Sequence, residues 1–364
     1  MTGVLVHEWI AQAGGSENVL EAMSRVYPHT DIVCLWNDST GRFDAARVRE
    51  TWLARSPLRR SKAAALPLMP ATWRALRSDG YEWALISSHL FAHHANFRDP
   101  QIERYVYVHT PARYLWNPEL DARGASLAAR AAAPALKNLD RRRAQEGSDF
   151  AANSDFVRRR IKDAWGVDAR VIHPPVEVTH IQSRTWSEAL TDEERDRLEA
   201  LPERYVLGAS RFIPYKRLDL VVRAGEVAGM PVVLAGQGPQ EASLRSVAAH
   251  ARVDVHFEIA PSDAMLRALY ARASVYVFPA IEDFGIMPIE AMASGTPVLA
   301  QSVGGAAESV VPGVSGALTT FSTDAEIAAA LSEALTVGRD SARSHARQFS
   351  RERFAEEIRE WVGR

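Results

Sequence analysis

The chain has 364 residues, 47% hydrophobic and 24% charged, with a formal net charge of −2. That length has room for two domains, each with its own core, and so balanced a charge gives no global case for nucleic acid as a partner. Its one cysteine, Cys34, lies in an apolar run, which excludes an internal disulfide framework and a cysteine zinc site. In chain order the first strand is predicted over Gly3 to His7, and Gly14-Gly15 then opens a helix. Two adjacent glycines let backbone approach a ligand closely, and a helix N-terminus adds positive potential, although most such pairs only mark a turn; Glu17 fits a first-turn helix charge equally well. Further strands are expected over Asp31 to Leu35, Trp83 to Ser87, Arg104 to Val108, Asp149 to Ala152 and Arg170 to Ile172. Asn153 or Ser154 caps a helix that runs through Trp165 and stops at Gly166.

From Glu177 to Arg204 the pattern becomes charged and poorly periodic, as in an inter-domain connection with a short helix from Asp192 to Ala200. A second series of strands follows: Tyr205 to Ala209, Val232 to Ala235, Val253 to Phe257, Val275 to Phe278 and Pro297 to Ala300. Intervening helices start near Lys216, Gln240, Ser262 and Gly285, and Thr323 with Glu326 fits a capping box for a helix to about Val337. This alternation predicts an α/β protein of two doubly wound, Rossmann-like domains facing across a cleft, with ligands at the carboxyl ends of the strands.

The most informative run is Ile281-Glu282-Asp283-Phe284-Gly285-Ile286-Met287-Pro288-Ile289-Glu290, followed by Ala291-Met292-Ala293-Ser294-Gly295. Glu282 falls in the loop beyond the strand Val275 to Phe278, and Glu290 a little over one turn into the next helix, so both can face one cleft. The N–H groups of Gly285 to Met287 are free at the helix start and suit a phosphate. A loop carboxylate, an amide nest and a second carboxylate can together hold a sugar, a diphosphate and a ribose. After the strand Tyr205 to Ala209, Arg211 and Lys216 put two cations at the mouth of the cleft, where they suit a negatively charged ligand group.

These runs resemble the E-x7-E element and the Arg-x4-Lys pyrophosphate clamp of retaining GT-B glycosyltransferases, most closely family 4. The run His109-Thr110-Pro111-Ala112-Arg113-Tyr114-Leu115-Trp116 looks like a signature of family 4 enzymes that build bacterial polysaccharides, many of which use GDP-mannose. The resemblance implies a retaining hexosyltransferase with a nucleotide-sugar donor, a saccharide or lipid-linked saccharide acceptor, no cofactor and no metal. It assigns catalytic roles to Glu282, His109, Arg211 and Lys216, with His109 near the 6-hydroxyl of the donor sugar. It assigns donor binding to Gly14, Gly15, Arg211, Lys216, Gly236, Ile259, Glu282, Phe284, Gly285, Ile286, Met287 and Glu290. Residues 1–180 would form the acceptor-binding domain, residues 181–345 the donor-binding one, and a C-terminal helix within 346–364 would pack back on the first. Arg113, Tyr114 and Trp116 can equally be packing residues, and Glu308 is read as structural. Gly236 and Gly238 either line the donor site or make the turn into the next helix. One departure concerns the base pocket: the chain runs Glu258-Ile259-Ala260 where the family has a glycine after the strand, which leaves the base open. The alternative is a catalytically silent GT-B nucleotide-binding subunit that supports a partner enzyme.

No hydrolase elbow, zinc-protease motif or P-loop occurs, and neither glycine pair completes a dinucleotide fingerprint. No apolar run reaches the roughly 18–20 residues of a membrane span, and the chain enters a strand without a signal-peptide pattern. A cytoplasmic protein, soluble or peripheral at the inner face of the membrane, is expected. Arg55, Arg59, Arg60, Lys62, Arg74 and Arg77, interleaved with Leu66, Leu68, Met69 and Trp73, would suit anionic lipid. A second basic stretch holds Arg123, Arg130, Lys137 and Arg141 to Arg143; both stretches fit ordinary solvated helices as well.

Overall fold

The structure, a computed structural model, describes residues 2–117 and 127–364, and of residues 127–131 only the backbone. It divides into two units, Met1–Pro175 with Glu352–Arg364 and Val176–Arg351. The first unit is a parallel sheet of seven strands: β1 (Gly3–His7), β2 (Asp31–Cys34), β3 (Val48–Glu50), β4 (Trp83–Ser88), β5 (Glu103–Val108), β6 (Asp149–Ala152) and β7 (Arg170–Val171). Their order is β3-β2-β1-β4-β5-β6-β7. Helices cover both faces, so the central strands β1 and β4 are buried on both sides. In β1, Val4 and Val6 enter one core and Leu5 the other. Phe354, Ile358, Trp361 and Val362, at helical spacing on the last helix (Arg351–Val362), join the core of Leu5. Cys34 is fully buried, and burial pushes its thiol well above the usual range.

The second unit is a parallel sheet of six strands: β8 (Val206–Ala209), β9 (Val232–Gly236), β10 (Val255–Ile259), β11 (Val275–Phe278), β12 (Val298–Gln301) and β13 (Gly316–Thr319), in the order β10-β9-β8-β11-β12-β13. In each sheet the winding reverses once, between β1 and β4 and between β8 and β11. At such a switch point the flanking loops leave on opposite faces and open a crevice at the carboxyl ends.

Three expectations change. The segment 177–204 is not an open connection: Val178, Ile181, Trp186, Leu190, Leu198 and Leu201 are buried in the core of the second unit. Val178, Ile181 and Trp186 sit in the short helices Val178–Gln182 and Trp186–Ala189, too brief to show a period, while the expected helix Asp192–Ala200 does form and buries Leu198. Strands β3 and β13 were not predicted. β3 is a three-residue edge strand, half-buried to exposed, and β13 opens on Gly316, where a Cβ would meet the Val298 carbonyl oxygen at 1.9 Å. Thr323 does cap its helix, accepting from the Glu326 N–H at 3.2 Å, but the Glu326 carboxylate turns to the Thr320 hydroxyl at 2.5 Å, so only half of a capping box forms. Ser154 caps as expected, accepting from Val157 N–H, and Gly166 closes that helix at φ 73°.

Candidate active site

In the second unit the loops after β8 and β11 meet at the switch point. Lys216, on the short turn Pro214–Lys216, is buried, and its Nζ donates to Glu282 Oε1. The ammonium also lies 5.4 Å from the Tyr215 ring centroid and 5.6 Å from that of Phe278. Arg211 is exposed, its Nη2 3.4 Å from the Tyr215 hydroxyl. Glycines hold both loops. A Cβ at Gly236 (φ 141°) would meet the Ser210 carbonyl oxygen at 1.9 Å, and one at Gly238 (φ 154°) that of Phe212 at 2.6 Å. These two glycines therefore bring their backbone against the Arg211 loop, which Phe212 N–H locks by bonding Gln237 O at 2.8 Å. On the other side a Cβ at Gly305 would meet Asp283 O at 2.0 Å, and Gly305 N–H bonds Glu282 O at 2.8 Å.

Gly285 caps the helix Ile286–Ala293 in the left-handed region (φ 90°) and no side chain caps it, so the first N–H groups face outward from a positive helix end. Phe284 puts its side chain into the core, with its ring 6.0 Å from Phe349, which leaves only its backbone for a ligand. Ile286 and Met287 are half-buried and pack on the same core. Glu290 receives Arg267 Nη2 at 2.8 Å on Oε1. Arg267 was not foreseen. It sits on the helix Asp263–Arg272, nearly buried, with Nε and Nη1 lacking a hydrogen-bond partner. Burial would lower the Arg267 guanidinium, but Glu290 beside it raises it above the ordinary arginine range. An arginine on an otherwise apolar helix face was the available signal. At the end of β10, Ile259 is exposed and Ala260 adopts φ 48°, a left-handed conformation that favours glycine.

In the first unit the carboxyl ends of β1, β4 and β5 gather His7, Glu8, Ser87, His89 and His109. Ser87 Oγ lies 3.0 Å from His7 Nδ1 and 2.8 Å from His109 Nε2. The His109 backbone is pinned on both sides, N–H to Ser88 O at 2.8 Å and C=O from Asn153 Nδ2 at 3.0 Å. Burial, with His89 and His7 nearby, holds the His109 imidazole well below the usual histidine range, so it is neutral. Burial also drives His7 down to about 4, with His89 adding to the effect. Burial would raise the Glu8 carboxyl, but His89, His7 and the N–H groups of Ala92 and Leu90 lower it instead. Gly14 precedes the helix Gly15–Val26, and Glu17 is buried rather than a surface charge: its Oε1 accepts from Ala11 N–H at 3.2 Å, and a Cβ at Gly14 would meet its Oε2 at 2.0 Å.

Trp116 donates to Asp140 Oδ2 at 2.7 Å, which ties the run after His109 to the helix Leu127–Ala144. Asp140 is fully buried and also receives Trp165 Nε1 at 2.7 Å and His94 Nε2 at 3.0 Å, with His93 Nε2 at 3.1 Å. Among the described residues, His7–Glu8–His89 and His93–His94–Asp140 each bring three possible metal ligands together. Both carboxylates are already saturated by donors, Glu8 by the N–H groups of His89, Leu90 and Ala92. The basic stretches are largely engaged. Arg59 pairs with Asp38, Arg74 with Glu146, Lys62 stacks on Trp9, and Met69 and Trp73 are core residues. Arg123 and the Arg130 side chain lie outside the described residues, and no described helix is long and apolar enough to cross a membrane.

Two doubly wound parallel sheets, each carrying polar residues at its switch point, define the GT-B fold of glycosyltransferases. Solved structures agree in fold. Anabaena Alr3699/HepE in complex with UDP superposes with a TM-score of 0.74 at 19% identity, covering 100% of both chains. Sucrose-phosphate synthase from Thermosynechococcus elongatus gives 0.69 at 17%, covering 100% of this chain and 98% of that one. More particularly, residues 191–359 match the family Glycosyl transferases group 1. The D-inositol 3-phosphate glycosyltransferase of Mycolicibacterium smegmatis is 32% identical over 200 residues, 50% of this chain and 44% of that protein. That of Mycobacterium tuberculosis is 30% identical over 206 residues, 51% and 41%. The chain thus spans less than half the length of the curated relatives it matches.

Proposed function

We propose that this chain is a retaining, metal-independent hexosyltransferase of family 4 that moves a hexose from a nucleotide diphosphate sugar to a saccharide or lipid-linked saccharide acceptor. The observation that carries this reading is the contact of Lys216 with Glu282 at a switch point, beside Arg211 and the uncapped helix start at Gly285. An ammonium has three donors, so Lys216 keeps two for phosphate oxygens while it holds Glu282, whose second oxygen stays available for a sugar hydroxyl. With Arg211 and the helix N-terminus it supplies the positive potential that a departing diphosphate needs. Glu290, steadied by Arg267, is suited to a ribose, and His109 to a donor-sugar hydroxyl. In the proposed step the acceptor oxygen bonds to the anomeric carbon on the face the phosphate leaves. The carbon–phosphate oxygen bond breaks, and the departing phosphate takes the acceptor proton. GDP-mannose is the first donor to test, from the run around His109; UDP-glucose is the second, since Alr3699/HepE was also crystallised with it.

Thermal unfolding with GDP, UDP, ADP and their sugar derivatives, with and without EDTA, tests the reading. At about 100 times Kd a ligand adds roughly 2.7 kcal/mol, a shift of several degrees. Stabilisation by one nucleotide, unchanged by EDTA, is expected. Glu282→Gln should then lower kcat about a hundredfold while nucleotide Kd stays within about threefold. Failure of every nucleotide to stabilise the chain ends the proposal.

A further inference from the structure

We propose that His7 and Ser87 are positioning residues that hold His109 in the tautomer with its proton on Nδ1, making that nitrogen a hydrogen-bond donor. The inference rests on the transferase reading only for what His109 donates to. The Ser87 hydroxyl has one proton and sits between two ring nitrogens, 3.0 Å from His7 Nδ1 and 2.8 Å from His109 Nε2. It can donate to one ring at most, and if both rings donated to it the hydroxyl proton would have no acceptor, since Ser87 Oγ makes no other hydrogen bond among the described residues. It therefore donates to one ring and accepts from the other.

The two arrangements differ at the far end of His7. That ring is fully buried, and its Nε2 has no hydrogen-bond partner. If Ser87 donated to His7, the His7 proton would sit on Nε2 as an orphaned N–H in the interior. If His7 Nδ1–H donates to Ser87 and Ser87 donates to His109 Nε2, only a lone pair is left unmatched. Buried N–H groups without partners are the rarer and more costly case. The chain of donors thus runs His7 Nδ1–H to Ser87 O–H to His109 Nε2, each bond polarising the next. The proton of His109 then resides on Nδ1, which makes no hydrogen bond among the described residues. The pinned backbone of His109 fixes where the ring starts, and Ser87 fixes how it turns. A neutral Nδ1–H suits a sugar hydroxyl oxygen, whereas a bare Nδ1 would compete for that hydroxyl's proton.

The test is nitrogen NMR of histidine side chains in the full chain, with the His109 signal assigned by its loss in His109→Gln. The wild-type ring should be protonated on Nδ1, and Ser87→Ala should shift it toward Nε2 protonation. His7→Asn, whose amide N–H replaces the Nδ1 donor, should retain the Nδ1–H form. With a nucleotide sugar that supports turnover, Ser87→Ala should lower kcat about tenfold, equivalent to about 1.4 kcal/mol, with KM for the donor within about twofold. His7→Asn should lose less. Nε2 protonation in the wild type, or a tautomer unmoved by Ser87→Ala in a chain that melts normally, overturns the proposal. So does a moved tautomer with unchanged kcat. If no nucleotide sugar is turned over but the tautomer responds as stated, the transferase reading fails and the tautomer assignment stands.

Discussion

Ala260 shows how a single residue departs from its surroundings. The end of β10 turns through a left-handed conformation at φ 48°, where a Cβ crowds the following carbonyl and costs roughly 1–2 kcal/mol. Its N–H bonds Gly236 O at 3.1 Å, so the turn is held by the glycine loop that also supports Arg211. Ala260→Gly should relieve this strain and raise stability by about 1 kcal/mol after the entropy of glycine in the unfolded chain is deducted. Chemical denaturation would show it, and a loss of stability would mean that the Ala260 methyl makes contacts worth more than the strain. The expectation of a glycine at this position came from the resemblance to a known family. That the backbone keeps a glycine-like conformation under an alanine could not be read from the sequence, because only the sheet register and the Gly236 contact impose it.

Arg267 and Glu290 join two helices, Asp263–Arg272 and Ile286–Ala293, through one ion pair with side chains 10% and 17% exposed. Arg267→Met keeps the volume but leaves the Glu290 carboxylate partly buried without its partner. Such losses cost about 3–5 kcal/mol for fully buried pairs. The residual exposure of Glu290 places the expected cost at roughly 2–3 kcal/mol, a fall in melting midpoint of roughly 5–10 °C. Nucleotide Kd should rise with it, since a released Glu290 no longer presents a fixed oxygen; an unchanged Kd in the folded variant would remove Arg267 from the site. At this scale the long apolar runs were legible: β1, β6 and β11 match their predicted bounds. The edge strand β3, the glycine-led β13 and the residues packed between 177 and 204 were not, because their burial is decided by partners distant in sequence.

The first unit carries several buried ionisable groups, and its stability should follow pH accordingly. Unfolded histidine binds a proton near pH 6.5, whereas His7 and His94 in the fold do so only near pH 4, through burial first and then the neighbouring His89 and His93. Between those values the unfolded chain binds more protons. Stability of this unit therefore falls as pH drops from 6.5 to 4, by on the order of 3 kcal/mol for each ring. Burial would raise the Asp140 carboxyl, but His93 and His94 hold it well below the usual carboxylate range. Its contribution, present above the unfolded value, is lost as pH falls further. Every tryptophan except Trp186 lies in this unit, so fluorescence-detected denaturation across pH 4 to 7 reads it selectively. A flat stability over that range would contradict the buried, neutral state of both rings.

Apolar runs alternating with helical patterns, and charged residues at fixed distances from glycines, determined from the sequence alone that the chain forms two doubly wound sheets. Spacing offered Glu282, Glu290, Arg211, Lys216 and His109 as candidates, and the resemblance of their motifs to a known family made them the residues to watch. Tertiary structure alone decided which of them touch. Lys216 meets Glu282 across 66 positions, Arg267 meets Glu290 across 23, and Ser87 stands between His7 and His109, 80 and 22 positions away. Those pairings follow from strand order. Parallel sheets bring the carboxyl ends of strands distant in sequence side by side, and a hydrogen bond formed there depends on register and burial, which no local pattern encodes.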